Sequence, residues 1–222
     1  MTEEPQEKSM RILVAMPNTG TVAAGTTASL VDMMQHFERS SAPFEKSARL
    51  ILAQGSILPE IRHRLVAEAY EHEATHMLWV DSDMRFPEDS LNRLLNAGKH
   101  VVGVNYARKE PECRPTASAL SGAPLESSPA GLVEVAHMGF GLMLVTMAAY
   151  DAITFPFFHF KPIPPKNVRF YGEDVTFGQK IRDAGVKMFC DTDLSERIEH
   201  IGAQSFQLKP APQVAPQLKL VT

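Results

Sequence analysis

The chain changes the period of its apolar positions from one segment to the next. RILVAMP (11–17) is an apolar run stopped by Pro17 and reads as a strand. After the loop NTGTVAAG, residues Leu30, Val31, Met33, Met34 and Phe37 recur at helical spacing. ARLILAQGS (48–56) predicts a second strand and a turn. From Pro59 onward Ile61, Leu65, Val66, Ala69 and Tyr70 mark another helical face, with Arg62, His63 and Arg64 between them. Met77-Leu78-Trp79-Val80 is apolar without alternation, the pattern of a strand buried on both faces. PEDSLNRLLNAG (87–98) carries Pro and two acids in its first turn and Gly98 at its end, so a helix is expected there, and HVVGVNY (100–106) predicts a fourth strand.

Strands alternating with helices predict an α/β fold, an open, mostly parallel Rossmann-like sheet flanked by helices. In such a sheet the C-terminal ends of the strands share one edge, where ligands bind. After residue 106 the rhythm shifts. RPTASA (114–119) and GLVEVAH (131–137) read as short strands around a Ser/Gly/Pro loop, a small antiparallel region. The apolar segment MGFGLMLVTMAAYDAI (138–153) follows, then an aromatic, proline-rich loop (154–171). Its Phe155, Phe157, Phe158 and Phe160 read as core or a lid hinge ahead of a stacking surface for a sugar or base. In GEDVTFGQKIRDAG (172–185), Val175, Phe177, Ile181 and Ala184 supply a helix face, and VKMFCDTD (186–193) is the last strand. Without a repeat or an internal linker, the expectation is one domain over 10–202. A disordered leader (1–9) and a Pro-rich extended tail (203–222) flank it.

Composition narrows the classes. The 222 residues are 44% hydrophobic and 22% charged, ordinary for a globular chain with a substantial core. A net charge of −4 carries no footprint for nonspecific nucleic-acid binding, although a local basic patch is compatible with it. Cys113 and Cys190 form no CxxC pair or zinc-type cluster, which suits a reducing compartment. The polar, acidic start and the lack of a long apolar run argue against a signal peptide and a membrane span. A cytoplasmic protein is expected.

The chemistry concentrates after the most apolar strand. Asp81 and Asp83 follow Val80 directly, and carboxylates are costly to bury without a cation, donors or solvent. On an extended segment residues i and i+2 point to one side, which suits a divalent cation held by oxygen ligands. The alternative is that one of the two caps the helix beginning near Pro87, although a cap is expected nearer to Pro87. Glu173 and Asp174 follow Gly172 at a helix head, where acids also offset the helix dipole. His200 lies near the end of a short strand, and the glycines of HMGFG (137–141) permit close backbone approach. Arg62, Arg64, Arg108 and Lys109 read as solvated charges unless they face the carboxylate edge.

Taken together, the order of an apolar strand, Asp-Ser-Asp, Gly-Phe-Gly, Gly-Glu-Asp at a helix head and a late histidine resembles the GT-A-fold glycosyltransferases of the family-two type. It resembles especially the compact members encoded by bacteriophages, over residues 10 to 202. The resemblance implies that Mn²⁺ or Mg²⁺ sits on the diphosphate of a nucleotide-sugar donor, most commonly a uridine diphosphate sugar in this family. Asp83 and His200, with Asp81, would be the metal candidates, Asp81 also contacting the ribose or sugar. Gly139, Phe140 and Gly141 match the sugar and acceptor segment. The nucleoside would lie against the loop after the first strand, near Pro17, with Arg62 also on the donor side. Glu173 and Asp174 match the family's glutamate-aspartate pair, Asp174 as the base of an inverting transfer. The acceptor is open among a modified DNA base, a protein and a glycan. The chain lacks the Gln-x-x-Arg-Trp signature of processive relatives, so a single-transfer enzyme without a membrane partner is expected. Two rivals remain at this stage: a haloacid-dehalogenase-like phosphatase, which normally carries its Asp-x-Asp on the first strand, and a non-catalytic nucleotide-sugar-binding module.

Overall fold

A computed structural model describes residues 9–126, 130–165 and 169–202, and the backbone of Ser205–Phe206. The expected leader and tail lie outside these residues except for Ser9 and that last pair. The first half runs β1 (Met10–Asn18), α1 (Ala24–Arg39), β2 (Lys46–Gln54), α2 (Leu58–Glu71), β3 (His76–Val80), β4 (Met84–Arg85), α3 (Ser90–Asn96) and β5 (Val101–Gly103). Then come β6 (Ser118–Ala119), β7 (Leu132–His137), β8 (Leu142–Thr146), α4 (Met147–Asp151), β9 (Lys161–Pro162) and β10 (Phe170–Tyr171). The chain continues through α5 (Glu173–Asp183), β11 (Met188–Asp191), α6 (Thr192–Ser195), β12 (Glu199–Ile201) and β13 (Ser205–Phe206).

The central sheet has eight strands in the order β2-β1-β3-β8-β5-β11-β7-β6. β1 is parallel to β2 and β3, and β11 is parallel to β5. Six of the eight strands run in one direction, with β7 and β8 opposed to them. The sheet is therefore mostly parallel in strand direction, with helices on both faces, as expected. One difference is central. β8, inside the segment MGFGLMLVTMAAYDAI, runs antiparallel between β3 and β5 and separates two strands that sequence order would make neighbours. Leu142–Val145 is apolar throughout, and such a run does not distinguish a buried strand from a buried helix. Only the gap between β3 and β5, with backbone donors and acceptors on both sides, settles it.

Period-2 alternation explains why β3 reads as doubly buried. Met77 and Trp79 join the core of one face, with Ile61 and Leu65 of α2, Tyr150 of α4 and Phe177 and Ile181 of α5. Leu78 and Val80 join the other, with Leu30, Met33 and Phe37 of α1 and Leu91 and Leu94 of α3. The helix faces match the expected ones with exceptions: Val31 and Tyr70 are exposed, and in α5 Thr176 and Gly178 are buried where Val175 and Ala184 were expected. The aromatic loop divides. Phe158 is buried against Phe140 and Phe177, whereas Phe155 is 72% exposed.

Candidate active site

The end of β3 is shaped by contacts from three distant segments. Residues 81–83 form a turn rather than continuing the strand, so the expected extended i, i+2 pair does not arise. The Asp81 N–H donates to the Gly141 carbonyl at 3.1 Å, and the Ser82 carbonyl accepts from the Ala23 N–H at 2.8 Å, at the start of α1. The Ile201 N–H donates to the Asp83 carbonyl at 2.7 Å. β12 pairs with β4, His200 opposite Met84, and this short ribbon carries His200 to the turn from more than a hundred residues away in sequence.

The two carboxylates are compensated separately. Asp81 faces Arg62 of α2, Nη2 to Oδ1 at 3.3 Å. Arg62 is only 2% exposed and lies over the rings of Phe140 and Trp79, 4.2 and 5.0 Å from their centroids. Its Nε approaches Glu173 Oε1 at 3.5 Å, yet among the described residues Nε and Nη1 have no hydrogen-bond partner. Arg62 thus bridges the turn after β3 and the head of α5. Asp83 is paired instead with Lys109, which donates to Oδ2, and with His200, whose Nε2 lies 3.4 Å from Oδ1. The expectation that Arg62 and Lys109 are solvated unless they face the carboxylate edge is thereby resolved: both face it.

Charge and burial set the acidities. Burial works to raise the Asp83 carboxyl, but the hydrogen bonds and charges of His200 and Lys109 outweigh it and hold the carboxyl below its ordinary value. Burial pushes the Glu173 carboxyl up; Arg62 opposes the rise, and the charges of Asp174 and Asp81 add to it. Tyr106 is buried, and burial, followed by the charges of Asp81 and Asp174, holds its hydroxyl proton firmly.

Tyr106 also explains the two glycines. The Gly141 N–H donates to the Tyr106 hydroxyl at 3.1 Å, and a Cβ on Gly141 would fall 2.7 Å from the ring carbons Cε1 and Cζ. A Cβ on Gly139 would strike the same hydroxyl. The glycines expected beside a sugar make room for an aromatic ring, and Phe140, also expected there, is 2% exposed with its ring in the core. Gly139→Ala is expected to cost about 1–3 kcal/mol by overpacking. Urea denaturation checks this, and an unchanged midpoint would mean that Tyr106 yields freely. Sequence reading missed Tyr106, because nothing near Gly-Phe-Gly in the chain indicates a ring contributed from 35 residues earlier.

Beside the turn lies a pocket of about 320 Å³. It is lined by Pro17, Asn18 and Thr19 at the end of β1, Gly55 and Ser56 after β2, Leu58 and Ile61 of α2, Asp81 to Asp83, and His200. Pro17, Asp81, Asp83 and His200, which come from three stretches of sequence, therefore share one cavity, while Asp174 stands at the head of α5, reached through Glu173 and Arg62. The His200 Nδ1–H donates to the Ala107 carbonyl at 2.9 Å, leaving Nε2 directed at Asp83. A second-sphere carbonyl of this kind fixes the tautomer of metal-binding histidines. The Asp83 carboxylate oxygen suits Mn²⁺ or Mg²⁺, which commonly take one or two carboxylates and complete their shell with water and substrate phosphates, whereas the imidazole nitrogen beside it is a ligand more usual for zinc, copper, iron or nickel. Among the described residues no group of three or more His, Cys, Asp or Glu is arranged to hold a metal. Asp81, turned to Arg62, does not join the pair.

No protein-family model and no curated protein matches the chain. Among solved structures it is similar to the crystal structure of A197 from STIV, with a TM-score of 0.59 and 16% identity. That match covers 91% of this chain and 96% of the other, a likeness of fold alone. Among the described residues no helix is long and apolar enough to cross a membrane.

Proposed function

We propose that the chain is a GT-A-type glycosyltransferase that moves a sugar from a nucleotide-diphosphate sugar to an acceptor hydroxyl. The observation that carries this reading is the convergence of Pro17, Asp81, Asp83 and His200 on one pocket at the C-terminal edge of a mostly parallel sheet. Gly55, Ser56 and Leu58 give the pocket a wall on which a nucleoside can lie, with its diphosphate directed at Asp83 and His200. A divalent cation held there would neutralise the diphosphate and stabilise the departing nucleotide. The chain's own part is to orient the ligands. Arg62 holds Asp81 toward the ribose, the Ala107 carbonyl fixes His200, and Asp174 accepts the acceptor's proton as its oxygen attacks the anomeric carbon from the opposite face. Glu173, tethered to Arg62, keeps the head of α5 in register with the donor side. A uridine diphosphate sugar is the donor to try first.

The test is calorimetry and thermal shift with nucleoside diphosphates and nucleotide-sugars, with and without Mn²⁺. At about 100 times the dissociation constant, the bound nucleotide should add about 2.7 kcal/mol of stability. Asp83→Ala should abolish the Mn²⁺-dependent part of that gain and leave the fold intact. Equal affinity in variant and wild type would remove Asp83 from the metal site. No shift with any nucleotide would defeat the reading as a whole.

A further inference from the structure

Lys109 stands where the glycosyltransferase reading puts a cation, and the loop that carries it is built to hold it there. Ala107 bridges Pro115 across the loop, and the Arg108 N–H donates to the Arg114 carbonyl at 2.8 Å. Arg114 closes the loop from outside with a two-armed pair to Glu110, both contacts at 2.8 Å. At its base, Asn105 Oδ1 accepts from the N–H groups of Thr116 and Ala117 at 3.1 and 3.0 Å. The same short segment makes two contacts with the Asp83–His200 pair: the Ala107 carbonyl orients the imidazole, and two residues on Lys109 neutralises the carboxylate. Without a positive charge, Asp83 would face a lone pair or a proton on Nε2 and little else, since Lys109 and His200 are its ion-pair partners among the described residues.

We propose that Lys109 is a tethered counter-ion that competes with the divalent cation for Asp83 and moves onto the donor's diphosphate once the cation is bound. The proposal rests on the glycosyltransferase reading of the pocket. Lys109 holds Oδ2 and leaves Oδ1, the oxygen beside His200 Nε2, to the metal. An ammonium and a dication on the two oxygens of one carboxylate repel each other, so Lys109 opposes binding of the metal alone and is driven off Asp83 by it. A diphosphate next to that metal brings anionic oxygens within reach of the freed side chain, and the competition becomes assistance. Lys109 therefore weakens the binding of the metal alone and strengthens that of metal with nucleotide. It biases the site toward loading both together.

The change of sign is the test. Mn²⁺ binding to the full chain is measured by calorimetry for wild type, Lys109→Gln, Arg108→Gln and Asp83→Asn, first with the metal alone and then with uridine diphosphate present. Lys109→Gln should bind Mn²⁺ alone about 2- to 5-fold tighter, the worth of a part-exposed ion pair removed from the competition. With uridine diphosphate it should bind about 10-fold weaker, for a lost charge-assisted hydrogen bond. Arg108→Gln removes the same charge from the neighbouring position and should change neither value. Equal metal affinity in Lys109→Gln and wild type, with Asp83→Asn failing to bind, overturns the proposal and leaves the metal reading standing. Equal tightening in the Lys109 and Arg108 variants also overturns it, by showing a diffuse field. If Asp83→Asn binds Mn²⁺ like wild type, the metal reading fails and takes the proposal with it.

Discussion

Asp174→Asn is expected to lower sugar transfer about 10²–10⁴-fold while leaving donor affinity unchanged, because a general base acts only in the transition state. The structure makes this substitution a clean one. The Val175 N–H donates to Asp174 Oδ1 at 2.8 Å, an acceptor that asparagine retains. Asp174 also stands in the first turn of α5, where losing the charge costs only a fraction of a kcal/mol in dipole energy. A role at the helix head thus predicts near wild-type turnover, and a role as base predicts its collapse. Single-turnover transfer with an identified acceptor, measured beside donor affinity, separates the two. Transfer at the wild-type rate would leave the inverting mechanism without a base.

Arg62→Met is expected to destabilise the protein by about 3–5 kcal/mol at neutral pH, the usual result of removing one partner from a buried ion pair. Methionine fills part of the space between Trp79 and Phe140, so the cavity contribution is small. What remains is a nearly buried Glu173 without its cation. Arg62 opposes the rise that burial imposes on the Glu173 carboxyl, so its loss moves that carboxyl further up. A carboxyl raised in the folded state binds more protons than in the unfolded chain, and stability then falls as pH rises through the folded value. The defect should therefore be large at pH 7.5 and smaller at pH 5, where Glu173 can protonate. Urea denaturation of variant and wild type at both values checks this. A defect equal at both would assign Arg62 to packing between the two rings and not to charge.

The candidate site was legible in sequence where chemistry is local. An apolar run ending in Asp-Ser-Asp announces a strand end with a purpose, because carboxylates do not follow four buried residues without compensation. Gly-Glu-Asp ahead of a helical apolar pattern marks a helix head in the same way. Arg62 was harder. Its position on the Ile61, Leu65 and Ala69 side of α2 is readable, but charged residues among apolar ones usually turn outward, and only the carboxylates of Asp81 and Glu173 hold this one in. Lys109 carried no signal, since its partner lies 26 residues away across a loop closure.

By itself, the sequence determined the period of most elements, β8 excepted, the two-sided burial of β3 and the residue types that follow its end. These follow from alternation, capping and desolvation, which act over a few neighbouring residues. The tertiary structure decided what depends on contacts between distant segments. β8 lies at the centre of the sheet because β3 and β5 both have ladder groups to satisfy there. Gly139 and Gly141 serve Tyr106 because the ring comes from another strand end. The answer to what compensates the two aspartates is Arg62 for one, Lys109 and His200 for the other. Side-chain charges are paired by proximity in space, and the fold alone sets that proximity.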